Sequence, residues 1–217
     1  MYDELVAFIP HFYFILQGVI VTLEYSVMGV SLGLVLGTLL AICKIVDLKA
    51  LRLFAYGYTS IFRGTPLLIQ LTIIYFGLPG LLGLKLSVFQ AGVMAFSLNS
   101  GAYVSEVIRA GITSVDNGQI EAAKALGITP ILRMKDIILP QAFRNILPAL
   151  VNELINLVKE SALISIIGGM DLMRRAQVVS AETYTFFTPM LTAAAAYYIL
   201  VLVISSFAMI IEKRLSL

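Results

Sequence analysis

Residues 114–130 read Ser-Val-Asp-Asn-Gly-Gln-Ile-Glu-Ala-Ala-Lys-Ala-Leu-Gly-Ile-Thr-Pro, a hydrophilic stretch set between strongly apolar ones. Asp116-Asn117 and Gly118 make a turn. Gln119 to Leu126 are good helix formers, and Glu121 in the first turn suits the positive end of a helix dipole. Gly127 supplies a stop, and Pro130 prevents the helix from resuming. The stretch predicts a short, isolated helix with Ala122, Ala123 and Leu126 as a small apolar face. Such a face lets a partner protein close tightly around the helix, so the segment is expected to dock.

Working outward, the flanks are membrane-spanning material. Of the 217 residues, 59% are hydrophobic and 13% charged, with a mean hydropathy of +0.95. Soluble chains average about 45–50% apolar and about 25% charged residues. So much apolar surface cannot be hidden from water in a chain of this size, and lipid must be its main solvent. A spanning helix needs ~20 apolar residues. Residues 25–43, 64–84, 86–105 and 183–211 carry no charge, and the first run continues upstream through Glu24 to about Phe12. A further span, from about Ile146 to Ile167, is interrupted by Glu153, Lys159 and Glu160. The expectation is an all-α, polytopic membrane protein with one transmembrane domain over 1–217. Its five spans fall at about 12–43, 64–84, 86–108, 146–168 and 184–211. The opening Met1-Tyr2-Asp3-Glu4 is acidic where a cleavable signal peptide would be basic.

Lys44, Lys49, Arg52, Arg109, Lys124, Arg133, Lys135, Arg144, Lys213 and Arg214 fall on one side of these spans, against Lys85, Arg174 and Arg175 on the other. The positive-inside rule then places the C-terminus in the cytoplasm and the N-terminus outside. The Arg174-Arg175 pair counts against this without overturning it. Gly29, Gly33 and Gly37 share one face of the first span. They are read as packing within the chain rather than as a dimer interface. Ala193 to Ala196 in the last span are read the same way.

Composition also excludes. A net charge of +2 gives no nucleic-acid surface, one cysteine (Cys43) gives no disulfide framework, and one histidine (His11) gives no metal cluster. The chain has no G-x-x-x-x-G-K-[ST] run to hold nucleotide phosphates and no nucleophile elbow. No catalytic or metal-binding residue is expected.

Glu121-Ala122-Ala123, then Gly127, then Ile137-x-Leu139-Pro140, resembles the EAA loop of importer permeases in the ATP-binding cassette family. Arg63-Gly64-Thr65-Pro66 with Gln70, and Ala102-Tyr103-x-x-Glu106-x-x-Arg109-x-Gly111-Ile112, resemble its polar amino acid branch, as does Gly118-Gln119-x-Glu121-Ala122-Ala123. The resemblance covers residues 12–212. It implies the type I importer permease fold, with the EAA coupling loop at about 114–140 and a multi-pass place in the bacterial cytoplasmic membrane. It also implies a second permease subunit, with a homodimer as the simpler arrangement, an external solute-binding protein and a dimer of cytoplasmic ATPase subunits. ATP and Mg²⁺ would be held by those ATPase subunits, and no cofactor by this chain. Glu121, Ala122, Ala123, Gly127 and Pro140 would form the coupling surface. The chain departs from the branch at Lys159-Glu160-Ser161-Ala162-Leu163, where Asp or Asn and then Thr-Ser-Leu commonly come after the lysine.

Charges at membrane depth are buried, paired or on a pathway. Glu153, Asn156 and Glu160 fall within about 60° of one another on the fourth span, bordered by Asn152 and Lys159. Asn99, Tyr103 and Glu106 share a face of the third. Asn99, Tyr103, Glu153, Lys159 and Glu160 are therefore the candidate substrate contacts, with Asn99 and Glu160 first. Glu106 and Arg109 read as a structural ion pair, Glu153 and Lys159 also as candidate helix locks, Arg63 as an anchor at the cytoplasmic interface, and Glu24 as either structure or pathway. The expected function is ATP-driven import of polar amino acids, basic ones above all. The alternative is a carrier driven by an ion gradient, against which stand the short chain and the absence of a convincing internal repeat.

Overall fold

The computed structural model describes residues 2–83 and 85–215, with side chains for 8–83 and 85–214, and among these every regular element is a helix. The side chains of Asp3 and Glu4, and Leu84 at the end of the second predicted span, lie outside the described residues.

Helices α1 (Tyr2–Leu16) and α2 (Gly18–Ile45) run on through Gln17, whose N–H bonds to Tyr13 O at 3.1 Å. Phe8–Ile45 is long and apolar enough to cross a bilayer as one rod. The next segment departs from expectation. Its Lys and Arg residues read as a loop, yet Lys49–Gly64 forms helix α3. Ala50, Leu53, Phe54, Gly57 and Ile61 recur at helical spacing on its exposed side, while Ala55 and Thr59 are buried.

Thr65 and Pro66 are extended, because proline bars its predecessor from the helical region and cannot itself donate an N–H. Beyond them α4 (Leu67–Thr72) passes through a π-turn at Ile73–Gly77 into α5 (Leu78–Leu82), which Gly83 ends at φ +66°. Lys49–Gly64 and Leu67–Leu82 meet at 102°, a broken crossing or a re-entrant loop.

Helix α6 (Val88–Thr113) opens with a reciprocal cap between Ser87 and Gln90 and occupies the centre of the molecule. The glycine face of α2 lies against it. A Cβ on Gly33 would stand 2.7 Å from Ser100 Cβ, and one on Gly37 the same distance from Val104 Cβ. The small residues thus serve packing within the chain. Tyr25, Leu71, Phe96, Leu157 and Ile164 fill a core that joins α2, α4 and α6 to the segment carrying Leu157 and Ile164.

On the far side of the docking segment, α7 (Asn117–Ala125), α8 (Pro130–Arg133) and a π-turn at Met134–Ile138 lead into α9 (Leu139–Glu160). The predicted fourth span is therefore not one α-helix. It begins seven residues early at Leu139 and closes as a 3₁₀ turn over Ser161–Ile167. Gly168 at φ +88° leads to α10 (Leu172–Thr183), and α11 (Phe187–Leu215) supplies the second long apolar helix, Phe187–Arg214. Ile15, Leu172, Ala176 and Val179 pack with Ala193 and Ala196, so two of the four consecutive alanines face inward.

Among the described residues, two helices, or three with the bent pair, thus have the length and composition of a crossing. Helices α6 and α9 are more polar than a lipid-facing span because other helices surround them. Ser97, Asn99, Ser100 and Ser105 on α6 and Glu153 on α9 are all buried.

Candidate coupling loop and polar pathway

The docking segment is built by two caps. Asp116 Oδ1 accepts the Gln119 N–H at 3.2 Å, which turns the expected Asp-Asn-Gly turn into a helix start two residues earlier. At the other end Gly127 takes φ +74°, its N–H bonds to Lys124 O, and the Ile128 N–H bonds to Ala123 O, both at 3.0 Å. This is a Schellman stop, so Gly127 ends the helix as its sequence position predicts. The apolar face is divided differently from expectation. Ala123 is 3% exposed and turned into the chain, whereas Leu126 is 80% exposed, and Glu121, Ala122, Gly127 and Pro140 are exposed with it.

The helix does not hang free. Gln141 Nε2 donates to Gln119 Oε1 at 2.7 Å and to Ile137 O at 2.9 Å, and Asn145 Nδ2 donates to Ser114 Oγ at 2.8 Å. The bonds to Gln119 and Ser114 tie the start of the α7 segment to the first turns of α9. Beside them Ile108, Ile112, Leu139, Pro140 and Phe143 line an apolar groove of about 470 Å³.

At the same end of the bundle, Glu106 is bracketed by two cations. Its Oε1 accepts from Lys44 Nζ at 2.6 Å, and its Oε2 accepts from Arg109 Nε and Nη2 at 3.0 and 2.8 Å. Lys44 Nζ also donates to Ser105 Oγ at 2.8 Å and lies 5.4 Å from the centre of the Tyr56 ring. The Glu106–Arg109 pair was legible from its spacing. Lys44 was not: it reads as a loop charge, yet its side chain is wholly enclosed.

Deeper in α6, Asn99 is buried and donates to Phe62 O at 3.3 Å and to Gln70 Oε1 at 3.0 Å. Gln70 Nε2 in turn donates to Phe62 O, Thr65 O and Thr65 Oγ1 at 2.8–3.0 Å. Both Asn99 amide hydrogens are thereby engaged in holding the α3–α4 break rather than left for a ligand. Tyr58 Oη donates to Leu98 O at 2.8 Å, which sets the rest of α3 against the middle of α6. Arg63, just after Phe62, extends toward Glu106, with Cζ 5.4 Å from the centre of the Tyr103 ring, one helical turn beyond Asn99.

The remaining candidates are divided. Glu153 is buried and faces Ser100 on α6, with Glu160 the other carboxylate acting on it. Lys159 and Glu160 are exposed on the single chain at the end of α9, and Tyr103 is 38% exposed. Only Asn99 and Glu153 are thus enclosed, in separate polar contacts.

A third polar group, at the far end of the bundle, escaped sequence reading. Asp171 is fully buried, caps α10 by accepting the Arg174 N–H at 2.9 Å, and accepts from Tyr197 Oη at 3.0 Å. Burial pushes its carboxyl up to about 6. Arg175 donates to Phe14 O and Gln17 Oε1 and lies over the Phe14 ring at 4.7 Å. This arginine, which weighs against the orientation in a charge count, is engaged in joining α10 to the α1–α2 junction.

Residues 33–217 match the family described as binding-protein-dependent transport system inner membrane components. The chain belongs to that family. Its relatives include the putative glutamine transport system permease protein GlnP of Rickettsia conorii, 66% identical over 99% of each chain. The arginine transport system permease protein ArtQ of Bacillus subtilis is 51% identical over 96% of this chain and 95% of that one. The crystal structure of an amino acid ABC transporter with histidines contains a chain with 42% identity and a TM-score of 0.91, matched over 99% of this chain and 98% of that one. The permease family resemblance read from the Glu121-Ala122-Ala123 loop therefore holds, and the chain is a permease component of a membrane transport system.

Proposed function

We propose that this permease is the membrane-spanning half of an ATP-driven importer of polar amino acids, with basic ones preferred. The observation that carries this reading is the doubly capped, outward-facing α7, hydrogen-bonded to the start of α9, in a chain of this family. A helix so fixed transmits a push from a docked ATPase directly into α9. Glu121, Ala122, Gly127, Leu126 and Pro140 form the docking surface, while Ala123 seats the helix on its own subunit. ATP and Mg²⁺ are held by the ATPase dimer, and an external binding protein delivers substrate.

The permease crosses the cytoplasmic membrane five times, as one domain over 1–217, with the N-terminus outside and the C-terminus inside. Two copies pair around a central pathway toward which Tyr103, Glu153, Lys159 and Glu160 contribute, with Asn99 contributing through the α3–α4 break that it holds beside them. Glu160, an acid longer than the branch's usual Asp or Asn, favours a substrate with an extra positive charge. The attraction is worth up to ~4 kcal/mol at 4 Å and an effective dielectric near 20, before desolvation is subtracted. Glutamine is the second reading, favoured by the name of the 66% identical relative.

Uptake of labelled arginine, lysine, histidine and glutamine into membrane vesicles decides between these. Transport is expected to need hydrolysable ATP and to persist when ion gradients are collapsed; the reverse result refutes the importer. Glu160→Gln is expected to lower uptake of the basic amino acids at least fivefold more than uptake of glutamine. Equal loss for both makes Glu160 structural, and a wild-type preference for glutamine refutes the basic-substrate reading.

A further inference from the structure

Arg63 is a cation at the depth of the bundle's middle whose charge no described acidic residue answers. The break after it lies beside the middle of the 26-residue α6, as the bonds from Tyr58 to Leu98 O and from Asn99 to Phe62 O establish. The guanidinium itself lies over Tyr103, which precedes Glu106 by three residues, so the charge sits about 5 Å along the helix axis from the Lys44–Glu106–Arg109 cluster.

Lys44 and Arg109 share Glu106. Arg63, by contrast, makes no ion pair among the described residues. Nor is it drawn to the carbonyls exposed by the break. Phe62 O and Thr65 O are already taken by the amides of Gln70 and Asn99. What remains is an exposed guanidinium at the end of a pinned helix, with its Cζ 5.4 Å from the centre of the Tyr103 ring. A guanidinium held near an aromatic face and without an ion-pair partner keeps its N–H fork for a carboxylate, which it receives through two parallel hydrogen bonds.

We propose that Arg63, held over Tyr103, binds the α-carboxylate of the transported amino acid. This rests on the amino acid reading above and extends it: every amino acid carries this group, so Arg63 selects the class, and the α9 acids select the side chain. Lys159, one of the candidate substrate contacts, is then free to balance Glu160.

The test uses the purified permease–ATPase complex without its binding protein, so that the measured selectivity belongs to the membrane site. Equilibrium binding is measured for L-arginine and L-glutamine and for the amines left when their carboxyl groups are removed. The wild type is expected to bind the amino acid at least tenfold more tightly than its amine. Arg63→Gln should reduce that preference to within about twofold by weakening the amino acid alone, and Arg63→Lys should keep an intermediate preference. Tyr103→Leu, which leaves the charge but removes its platform, should cost several-fold in the same preference. A complex that elutes intact and keeps the wild-type preference in Arg63→Gln overturns the proposal. So does equal weakening of acid and amine, which would make Arg63 structural. If Arg63→Gln fails to assemble, an unchanged preference in Tyr103→Leu overturns it instead. A wild-type complex that binds none of arginine, lysine, histidine and glutamine refutes the amino acid reading itself.

Discussion

Asp171 illustrates how a single buried carboxylate makes the packing of one end of the bundle depend on pH. It lies outside the predicted spans, and burial raises its carboxyl from the ordinary value near 4 to about 6. A group with a raised folded-state pKa is fully stabilising only below its unfolded value, and that contribution is lost as pH rises through the folded one. Thermal unfolding in detergent should therefore show stability falling between about pH 4 and pH 6.5, by on the order of 2 kcal/mol for this group. Asp171→Asn keeps an acceptor for the Arg174 N–H and removes the titration, so its stability should be nearly flat over that range. A wild-type slope unchanged in Asp171→Asn would assign the effect elsewhere. Gly37 sets a different limit at the same scale. A Cβ there would meet Val104 Cβ at 2.7 Å and Gly101 O at 2.9 Å. Gly37→Val should cost about 1–3 kcal/mol, or push α2 off α6; a melting temperature equal to wild type would show that the helices can part without loss.

Among the elements, α7 is the one whose two faces have separable roles. Leu126→Asp changes only the outward face, so it should lower ATPase binding at least tenfold while the permease still inserts and elutes as a folded species. Ala123→Asp places a charge on the buried face and should weaken the folded permease itself, seen as a lower melting temperature in the absence of any ATPase. Gly127→Val strains a residue held at φ +74° by about 1–2 kcal/mol and should fray the end of α7. Normal docking by Leu126→Asp would move the ATPase surface away from this helix. The α3–α4 pair is an element of another kind. Its break is crossed by side-chain amides, which makes Gln70 and Asn99, with the Thr65 hydroxyl on Ile61 O, the fastening of the turn.

For the whole molecule, the proposed five-crossing topology makes a direct prediction. Cysteines placed singly at Gln119 and at Lys213 in a Cys43→Ser background should react with an impermeant maleimide only after the membrane is opened. One placed at Thr185 should react from outside in intact cells. Labelling of Gln119→Cys from outside would reverse the orientation. Cross-linking of two differently tagged copies of the chain in the assembled transporter is expected for a homodimer, and its absence beside a different permease would refute that pairing.

Much of this protein was legible without coordinates, and the reason is physical. Lipid leaves an uncharged apolar run few options other than a helix, so the first and last long helices could be read directly. Local chemistry did the same for Gly127, because a left-handed stop depends on the glycine and its neighbours alone. Reading failed wherever a charge was taken as a boundary. Lys44, Arg63 and Arg175 look like loop residues in one dimension, yet Lys44 is enclosed, Arg63 reaches the Tyr103 ring of α6 and Arg175 is bonded to the α1–α2 junction. Helix α3 was missed for the same reason, and Ala123 was assigned outward because periodicity defines a face but not which way it points. Those matters were decided by tertiary structure, since where a charged side chain rests depends on what a distant segment offers it: Glu106 for Lys44, the Tyr103 ring for Arg63, and the Phe14 carbonyl for Arg175.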